Sequence, residues 1–399
     1  MVDRMPMADR FQVLVLNQIS ANGLSRLPVE RYRVGKDVAA PDAVLVRSAD
    51  MHTLPIADSV RAIGRAGAGT NNIPVKAMSA RGVPVFNAPG ANANAVKELV
   101  LAGMLMAARN LAPALSFVGA LGSTDADMDK RVEDGKKAFA GYELAGQTLG
   151  IIGLGKIGCL VADAAIKLGM NVMGFDPEIT VDAAWSLPAQ VKRAGSVNEV
   201  LKGAQFVTLH VPLLEATRNL VNEANIGLMR PGAVLLNFSR EGIVNEAAVV
   251  EALEGARLDR YVCDFPSPAI NGHARVVALP HLGASTREAE ENCAIMVVDQ
   301  LRDYLEHGNV SNAVNFPQVG MARESNYRIA IANANVPNML GQISTAMAQA
   351  GLNIHNMVNK SRGDMAYTLV DVDSPVEAVA LDGIRAIAGV LSVRYLPLH

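Results

Sequence analysis

The sequence predicts an α/β protein: two doubly wound domains with a cleft between them, then a smaller α+β domain. Three observations carry that expectation. Short apolar runs alternate with amphipathic stretches along most of the chain, the pattern of βα units around parallel sheets. A glycine cluster, Gly153-x-Gly155-x-x-Gly158, lies between an apolar run and an amphipathic one. From residue 327 to 399 the rhythm changes to strand, helix, strand, turn, strand, helix, strand, the order of a ferredoxin-like sandwich.

Taken in order, the first strands are expected at Phe11–Asn17, Ala43–Arg47, Val60–Gly64 and Val83–Asn87, each closed by a turn-forming or polar residue. Residues 1–10 read as a short polar lead-in, without the apolar stretch of a secretory leader. A helix over Ala95–Arg109 is apolar on most sides and should be buried, and a polar segment, Gly122–Gly141, follows it. Gln147–Ile152 then restarts the βα series, with strands at 171–175, 205–211, 233–238, 261–264 and 275–279. The helix Thr286–Glu306 should return the chain to the first zone, making that domain discontinuous. The expected division is therefore residues 1–94 with 292–317, residues 95–291, a linker at 318–326, and residues 327–399. In the last part Gly351 and Gly389 stand where helix C-caps belong, and Arg362-Gly363-Asp364 supplies a hairpin turn.

Composition narrows the function classes. Half of the 399 residues are hydrophobic and 19% are charged, enough for a large core and too apolar for a disordered chain. Thirty-six basic residues against 39 acidic ones give a net charge of −3, which argues against broad binding to nucleic acid. Leu99–Ala108 is the longest apolar run, well short of the roughly 18 residues a membrane span needs. Cys159, Cys263 and Cys293 form no CxxC pair, and no HExxH or Cys/His cluster is present, so no metal is expected. A cytoplasmic protein without nucleic-acid or membrane partners is the expectation.

The glycine cluster has the context of a dinucleotide site. Gly153 permits a tight turn, Gly155 lets a pyrophosphate approach the backbone, and Gly158 lets the helix pack on the strand. The pyrophosphate would meet free N–H groups at the positive end of the helix dipole. Asp176 ends the next strand, 18 positions after Gly158, where an acidic residue holds the ribose hydroxyls and repels a 2′-phosphate. The first reading is thus a Rossmann-like domain that prefers NAD.

Two further segments stand just beyond apolar strands, where open α/β sheets carry their chemistry. In Asn237-Phe-Ser239-Arg240, the planar fork of Arg240 matches a carboxylate. In Pro280-His281-Leu-Gly283, the imidazole of His281 is suited to exchange a proton with a hydroxyl. His210 precedes Pro212 at another strand end and suits either the cofactor crevice or a packed structural role. The remaining histidines, His52, His273, His307, His355 and His399, are weaker candidates. An arginine, a histidine and a nicotinamide together describe hydride transfer at a 2-hydroxy acid.

These residues resemble the D-2-hydroxyacid dehydrogenases. The likeness runs through Val46-Arg47-Ser48, Gly64-Arg65-Ala66-Gly67-Ala-Gly69-Thr-Asn71-Asn72, Asn87-Ala-Pro89-Gly-Ala-Asn92, the glycine loop, His210-Val-Pro212, Asn237-Phe-Ser239-Arg240 and Pro280-His281-Leu-Gly-Ala-Ser-Thr286. With the tail added, the chain is most similar to the branch that oxidises 3-phospho-D-glycerate and carries a C-terminal ACT domain, a small-ligand regulatory module. The resemblance implies that Arg240 and His281 are catalytic. It places Lys156, Ile157, Asp176, Phe238, Ser239, Asp264, Gly283 and Ala284 on NAD with the glycines, beside His210, Val211 and Pro212. It puts Arg47, Ser48, Arg65, Ala66, Gly67 and Asn92 against the substrate, in a domain formed by 1–94 and 292–317. Such a substrate carries about three negative charges, and Lys136 or Lys137 on the polar arm, which in the family reaches a partner subunit, would add counter-charge. A homodimer through 95–141 is implied, extended to a tetramer if ACT sheets pair. Another 2-hydroxy acid, such as glycerate, lactate or a branched acid, stays open as substrate, as does a non-catalytic NAD-sensing role.

Two departures from the family pattern bear on mechanism. A glutamate usually follows Asp-Val-Phe and holds the catalytic histidine; here Cys263-Asp264-Phe265-Pro266-Ser267-Pro268 has none, and no acidic residue occurs after Asp264 until Glu288. Either Asp264 supplies that charge or His281 works without a direct carboxylate. In the tail, Asn333-Ala-Asn335-Val-Pro337-Asn338 replaces the family's His-x-Asn-x-Pro-Gly, with Asn353 retained as the third candidate effector residue. An amino-acid effector would then meet no positive charge at 333, and weak or absent serine inhibition is expected.

Overall fold

The computed structural model describes residues 10–122 and 127–398; residues 1–9, most of the polar lead-in, and His399 lie outside the described residues. The chain divides into two compact units, one formed by residues up to Ala91 together with Arg287 onward, the other by Asn92–Thr286.

The first unit opens with β1 (Phe11–Leu16), α1 (Ala21–Leu24), β2 (Tyr32–Gly35), β3 (Ala43–Val46), β4 (Ala62–Arg65), α2 (Val75–Ala80) and β5 (Val85–Phe86). These strands form one parallel sheet in the order β2-β1-β3-β4-β5. All four residues of β3 are buried, as apolar runs with both faces covered should be. The strand β2 was not anticipated: Tyr32-Arg33-Val34-Gly35 has one buried side chain, Tyr32, and gives little pattern to read.

The second unit begins with α3 (Ala93–Ala108), α4 (Leu111–Gly119) and α5 (Met128–Gly135). Then come β6 (Thr148–Ile152), α6 (Lys156–Lys167), β7 (Asn171–Phe175), α7 (Val181–Ser186), β8 (Lys192–Arg193), α8 (Val197–Gly203), β9 (Phe206–Leu209), β10 (Ala233–Asn237), α9 (Glu246–Glu254), β11 (Leu258–Cys263) and β12 (Val276–Ala278). The seven strands are parallel in the order β12-β11-β10-β9-β6-β7-β8, the reversal at β6 and β9 marking the switch point where such sheets bind ligands. One face packs on α3 and α6 through Val100, Met104, Leu149, Ile151 and Val161. The other packs on α8 and α9 through Val200, Leu209, Leu235 and Val249. A Cβ on Gly150 would meet Val200 at 2.5 Å, so that glycine lets α8 lie close to the central strand. The polar segment 122–141 carries α5 and the short 3₁₀ turn Lys136–Phe139. Among the described residues no single helix is long and apolar enough to cross a membrane.

From Arg287 the chain rejoins the first unit as α10 (Arg287–His307), β13 (Tyr327–Ala334), α11 (Met339–Gln349), β14 (Ile354–Arg362), β15 (Met365–Val372), α12 (Ala378–Arg385) and β16 (Val390–Pro397). The last four strands form an antiparallel sheet in the order β14-β15-β13-β16. Gly363 and Gly351 take positive φ at the expected turn and helix end, and Asn338 adopts the left-handed region at the start of α11. Gly389 also has positive φ, but α12 stops at Arg385 with Ala386 as its C-cap, so this glycine serves the turn into β16 and not a helix end. Ile329, Ile343, Val370 and Ile384 fill the space under α11 and α12. The opposite face of the sheet joins α10 and the first parallel sheet in one core, through Ala330, Tyr367, Leu369, Tyr304 and Leu301. The stretch expected as a linker is part of that core: Val319 pairs with Val310, and Val319 and Met321 are buried. Apolar side chains at two positions of an otherwise polar run account for the difference.

Candidate active site

The glycine loop between β6 and α6 has the conformation the motif requires. Gly153 has φ +94°, and a Cβ there would meet the His210 carbonyl oxygen at 2.5 Å. A Cβ on Gly158 would lie 2.1 Å from the Gly153 oxygen, so α6 reaches its strand only because that position is glycine. Gly155 caps α6 with no side-chain hydrogen bond, and space above it is open. The first-turn N–H groups at Lys156 and Ile157 are therefore presented as an anion-binding end. Asp176 follows β7; one carboxylate oxygen accepts from Leu154 N at 2.8 Å and the other from Glu178 N at 2.9 Å, which fixes the carboxylate at the lip of the loop.

His210 leaves the end of β9. One ring nitrogen, Nε2, pairs with Thr208 Oγ1 at 3.0 Å, while Nδ1 is buried without a partner. Burial lowers its pKa to about 3, so the ring is neutral. Val211 is half-buried beside it and Pro212 exposed.

At the end of β10 a turn presents the arginine. Asn237 Oδ1 accepts from Ser239 N at 3.2 Å, and its Nδ2 donates to the Arg240 carbonyl at 3.0 Å. Ser239 Oγ donates to the Leu209 carbonyl, and Phe238 is buried. Arg240 itself is exposed, its guanidinium donating to the Ser239 carbonyl at 2.7 Å. Asn237 was read only as part of the motif; its side-chain amide, acceptor at one end and donor at the other, closes the turn.

His281 follows β12 in a strained backbone, with φ +33°. Its N–H donates to the Asp264 carbonyl at 2.9 Å, and Gly283 N donates to Asp264 Oδ2 at 3.2 Å. Asp264 is 1% exposed and its Oδ1 has no partner. Burial pushes this carboxyl upward, opposed by the Gly283 N–H and by the positive charges of His281 and Arg240. The His281 ring packs on Phe265 with centroids 4.7 Å apart. Sequence reading did not single out Phe265; only the chain path after β11 brings it there. Ala284 is half-buried beyond Gly283. Glu246, at the start of α9, accepts a hydrogen bond from the Ser267 hydroxyl on the loop that lacks the family's glutamate.

In the first unit, Arg47 and Arg65 stand at the adjacent ends of β3 and β4. Arg65 Nε donates to the Arg47 carbonyl at 3.0 Å. Gly67 is buried at φ +154°, and a Cβ there would meet the Arg65 guanidinium at 1.9 Å. Ala66 N donates to the Val46 carbonyl at 2.8 Å, and Ser48 N to Asn17 Oδ1 at 3.3 Å. Arg47 pairs with Glu290 at 2.7 Å. In the second unit Asn92 caps α3 without a side-chain bond, and Lys137 is exposed. In the C-terminal sheet Asn333 is 1% exposed, while Asn335 and Asn353 donate to the Gly363 carbonyl and to Asp373. No group of three or more His, Cys, Asp or Glu placed to hold a metal occurs among the described residues.

Residues 101–283 match the family model for the NAD-binding domain of D-isomer specific 2-hydroxyacid dehydrogenases. The chain is also 33% identical over 347 residues to D-3-phosphoglycerate dehydrogenase of Haemophilus influenzae, spanning 84% of this chain and 81% of that one. The chain belongs to the D-2-hydroxyacid dehydrogenase family. Its second unit is the family's NAD-binding domain, and NAD is the cofactor. It is 37% identical over 288 residues to D-3-phosphoglycerate dehydrogenase of Methanocaldococcus jannaschii, covering 70% of this chain and about half (52%) of that longer relative. The fold is shared with the NAD-bound 3-phosphoglycerate dehydrogenase of Entamoeba histolytica, at TM-score 0.59 and 24% identity over 76% of this chain and 98% of that one. The residues present suit the cofactor: a helix end without a side-chain cap behind two glycines, a carboxylate at its lip, and a buried acceptor, Asp264 Oδ1, without a partner.

Proposed function

We propose that this dehydrogenase oxidises 3-phospho-D-glycerate to 3-phosphohydroxypyruvate, opening serine biosynthesis. The 33% identity over four-fifths of the D-3-phosphoglycerate dehydrogenase of Haemophilus influenzae supports the choice of substrate. The conjunction of Arg240, Asp264 and His281 at the ends of β10, β11 and β12 supports the chemistry. Gly153, Gly155, Lys156, Ile157 and Gly158 hold the pyrophosphate and Asp176 the ribose. Ser239, Gly283 and Asp264 line the nicotinamide end with Phe238, Ala284 and the His210-Val211-Pro212 turn. Bound NAD supplies the hydride acceptor for carbon 2.

In this reading Arg240 orients the substrate carboxylate through its planar fork. His281 takes the proton of the 2-hydroxyl as general base and returns it in the reverse direction. Asp264 is the charge that stabilises the resulting imidazolium in place of the missing glutamate, and Phe265 holds the ring's face. Arg47, Arg65 and Ser48, with the backbone at Ala66 and Gly67 and with Asn92, bind the remaining anionic end, and Lys137 adds charge from the arm. Residues 327–399 form an ACT domain in which Asn333, Asn335 and Asn353 are the candidate effector contacts; burial of Asn333 and its lack of positive charge favour weak serine inhibition. The protein acts in the cytoplasm as a homodimer or homotetramer built on the 95–141 region. A substrate panel read by NADH formation tests the proposal: 3-phospho-D-glycerate should exceed D-glycerate and D-lactate in kcat/KM by 100-fold or more, since a site built for a phosphate loses several kcal/mol without it. Equal rates for D-glycerate would move the assignment to an unphosphorylated substrate.

A further inference from the structure

The Arg47–Glu290 pair is not explained by folding or by the chemistry above. Arg47 leaves β3, and Glu290 lies in the first turn of α10. The contact is 2.7 Å, with 35% of the arginine side chain and 42% of the glutamate still exposed. Arg65 lies beside them, and the buried Cys293 thiol feels all three charges: burial and Glu290 push it up, the two arginines pull it back. The carboxylate pairs with Arg47, whose carbonyl in turn accepts from Arg65 Nε. Glu290 does not need Arg47 to be stable, because a carboxylate in the first turn of a helix is favoured by the helix dipole. Other cations share its surroundings, although Arg287 is already paired with Glu288 at 3.0 Å. Glu290 lines a cavity of about 430 Å³ whose wall includes Lys36 and Arg287.

We propose that Glu290 is a competing carboxylate: it holds Arg47 when no substrate is bound and yields that guanidinium to the anionic group of the substrate, turning toward the cavity that Lys36 lines. It is therefore a residue that sets affinity, one that weakens binding of every anion that Arg47 takes. The inference rests on the assignment of Arg47 to substrate binding made above. An exposed ion pair is worth a factor of about two to five in an equilibrium constant, which sets the size of the effect.

The test compares Glu290→Gln, Glu290→Ala, Arg47→Ala and the double variant Arg47→Ala/Glu290→Gln. KM and kcat come from initial rates, and Kd for 3-phospho-D-glycerate from calorimetry, at low and high salt. Both Glu290 variants should lower KM and Kd about two- to fivefold at low salt, with kcat within about twofold. The gain should fade at high salt, where an exposed pair is screened, and should vanish when Arg47 is absent. Unchanged or raised KM in both Glu290 variants would overturn the inference, as would the same gain in the Arg47→Ala background. If wild-type protein turns over D-glycerate and not the phosphorylated acid, the substrate assignment fails and Glu290 is judged by the same ratios on D-glycerate. If Arg47→Ala leaves KM for every substrate unchanged, the inference fails and the activity assignment stands.

Discussion

Buried polar groups are treated differently in the C-terminal antiparallel sheet and at the strand ends of the second unit. In the sheet, Arg328 is fully buried and its guanidinium is fully engaged. It meets both oxygens of Asp371, at 2.6 and 2.9 Å, and the carbonyls of His307, Met321 and Ala322. Such an ion pair holds a structure in register and has nothing left to offer a ligand. At the ends of β9 and β11, by contrast, His210 Nδ1 and Asp264 Oδ1 are buried with no partner. An open valence in a buried site costs stability, and His210 lies against Gly153 of the glycine loop while Asp264 follows β11, the strand beside β10 that leads to Arg240. The sheet has its own exceptions, Asn333 Oδ1 and Arg394 Nε, and the first of them falls on a candidate effector position.

The contrast can be broken by exchanging effects. His281→Asn should lower kcat about 10²- to 10⁴-fold, the range for loss of a general base, while the melting temperature stays close to wild type. Arg328→Met should do the reverse. Removing one partner of a buried pair costs about 3–5 kcal/mol, visible as a large drop in denaturation midpoint, with kcat/KM of the folded fraction retained. If Arg328→Met abolished turnover in folded protein, the division between structural and functional polar groups would be wrong.

Smaller effects sharpen it. Asp264→Asn should lower kcat roughly 10- to 100-fold and move the acid limb of the oxidation profile to lower pH, because the negative charge that favours the imidazolium is gone. An unaltered kcat and pH profile would leave His281 working without a carboxylate. His210, whose pKa is lowered to about 3 by burial, gives a stability signature. The fold binds its neutral form, so this contribution is complete above the unfolded value near 6.5 and is lost as pH falls toward 3, by at most about 1.4 kcal/mol per pH unit. Denaturation midpoints between pH 7 and 4 should flatten in His210→Gln relative to wild type; parallel curves would mean that the ring is not held neutral.

How much of this was legible beforehand follows the same physics. Apolar runs such as Leu149–Ile152 and Ala233–Leu236 lie buried in the middle of the second sheet, so their composition alone placed them. Gly153 and Gly158 were legible because only glycine fits where they stand, and Gly155 because open space above a helix end suits a ligand. Edge strands were not: Lys192–Arg193 is exposed and two residues long, with no hydrophobic face to repeat. The supposed linker at 318–326 misled because two buried side chains, Val319 and Met321, are too few to make a pattern. At the site, the residues proposed to touch ligand through their own chemistry, Arg240, His281 and Asp176, stood out by type and position. Phe265, Asn237 and Glu290 did not, since each acts through a neighbour that only the folded chain supplies.

The account stands most directly on the initial rate of NADH formation from 3-phospho-D-glycerate by wild-type protein and by folded His281→Asn, measured side by side under saturating NAD. A rate in the wild type that falls at least 100-fold in the variant is the expected result. A variant as fast as the wild type, or a wild type silent toward every 2-hydroxy acid, would contradict it.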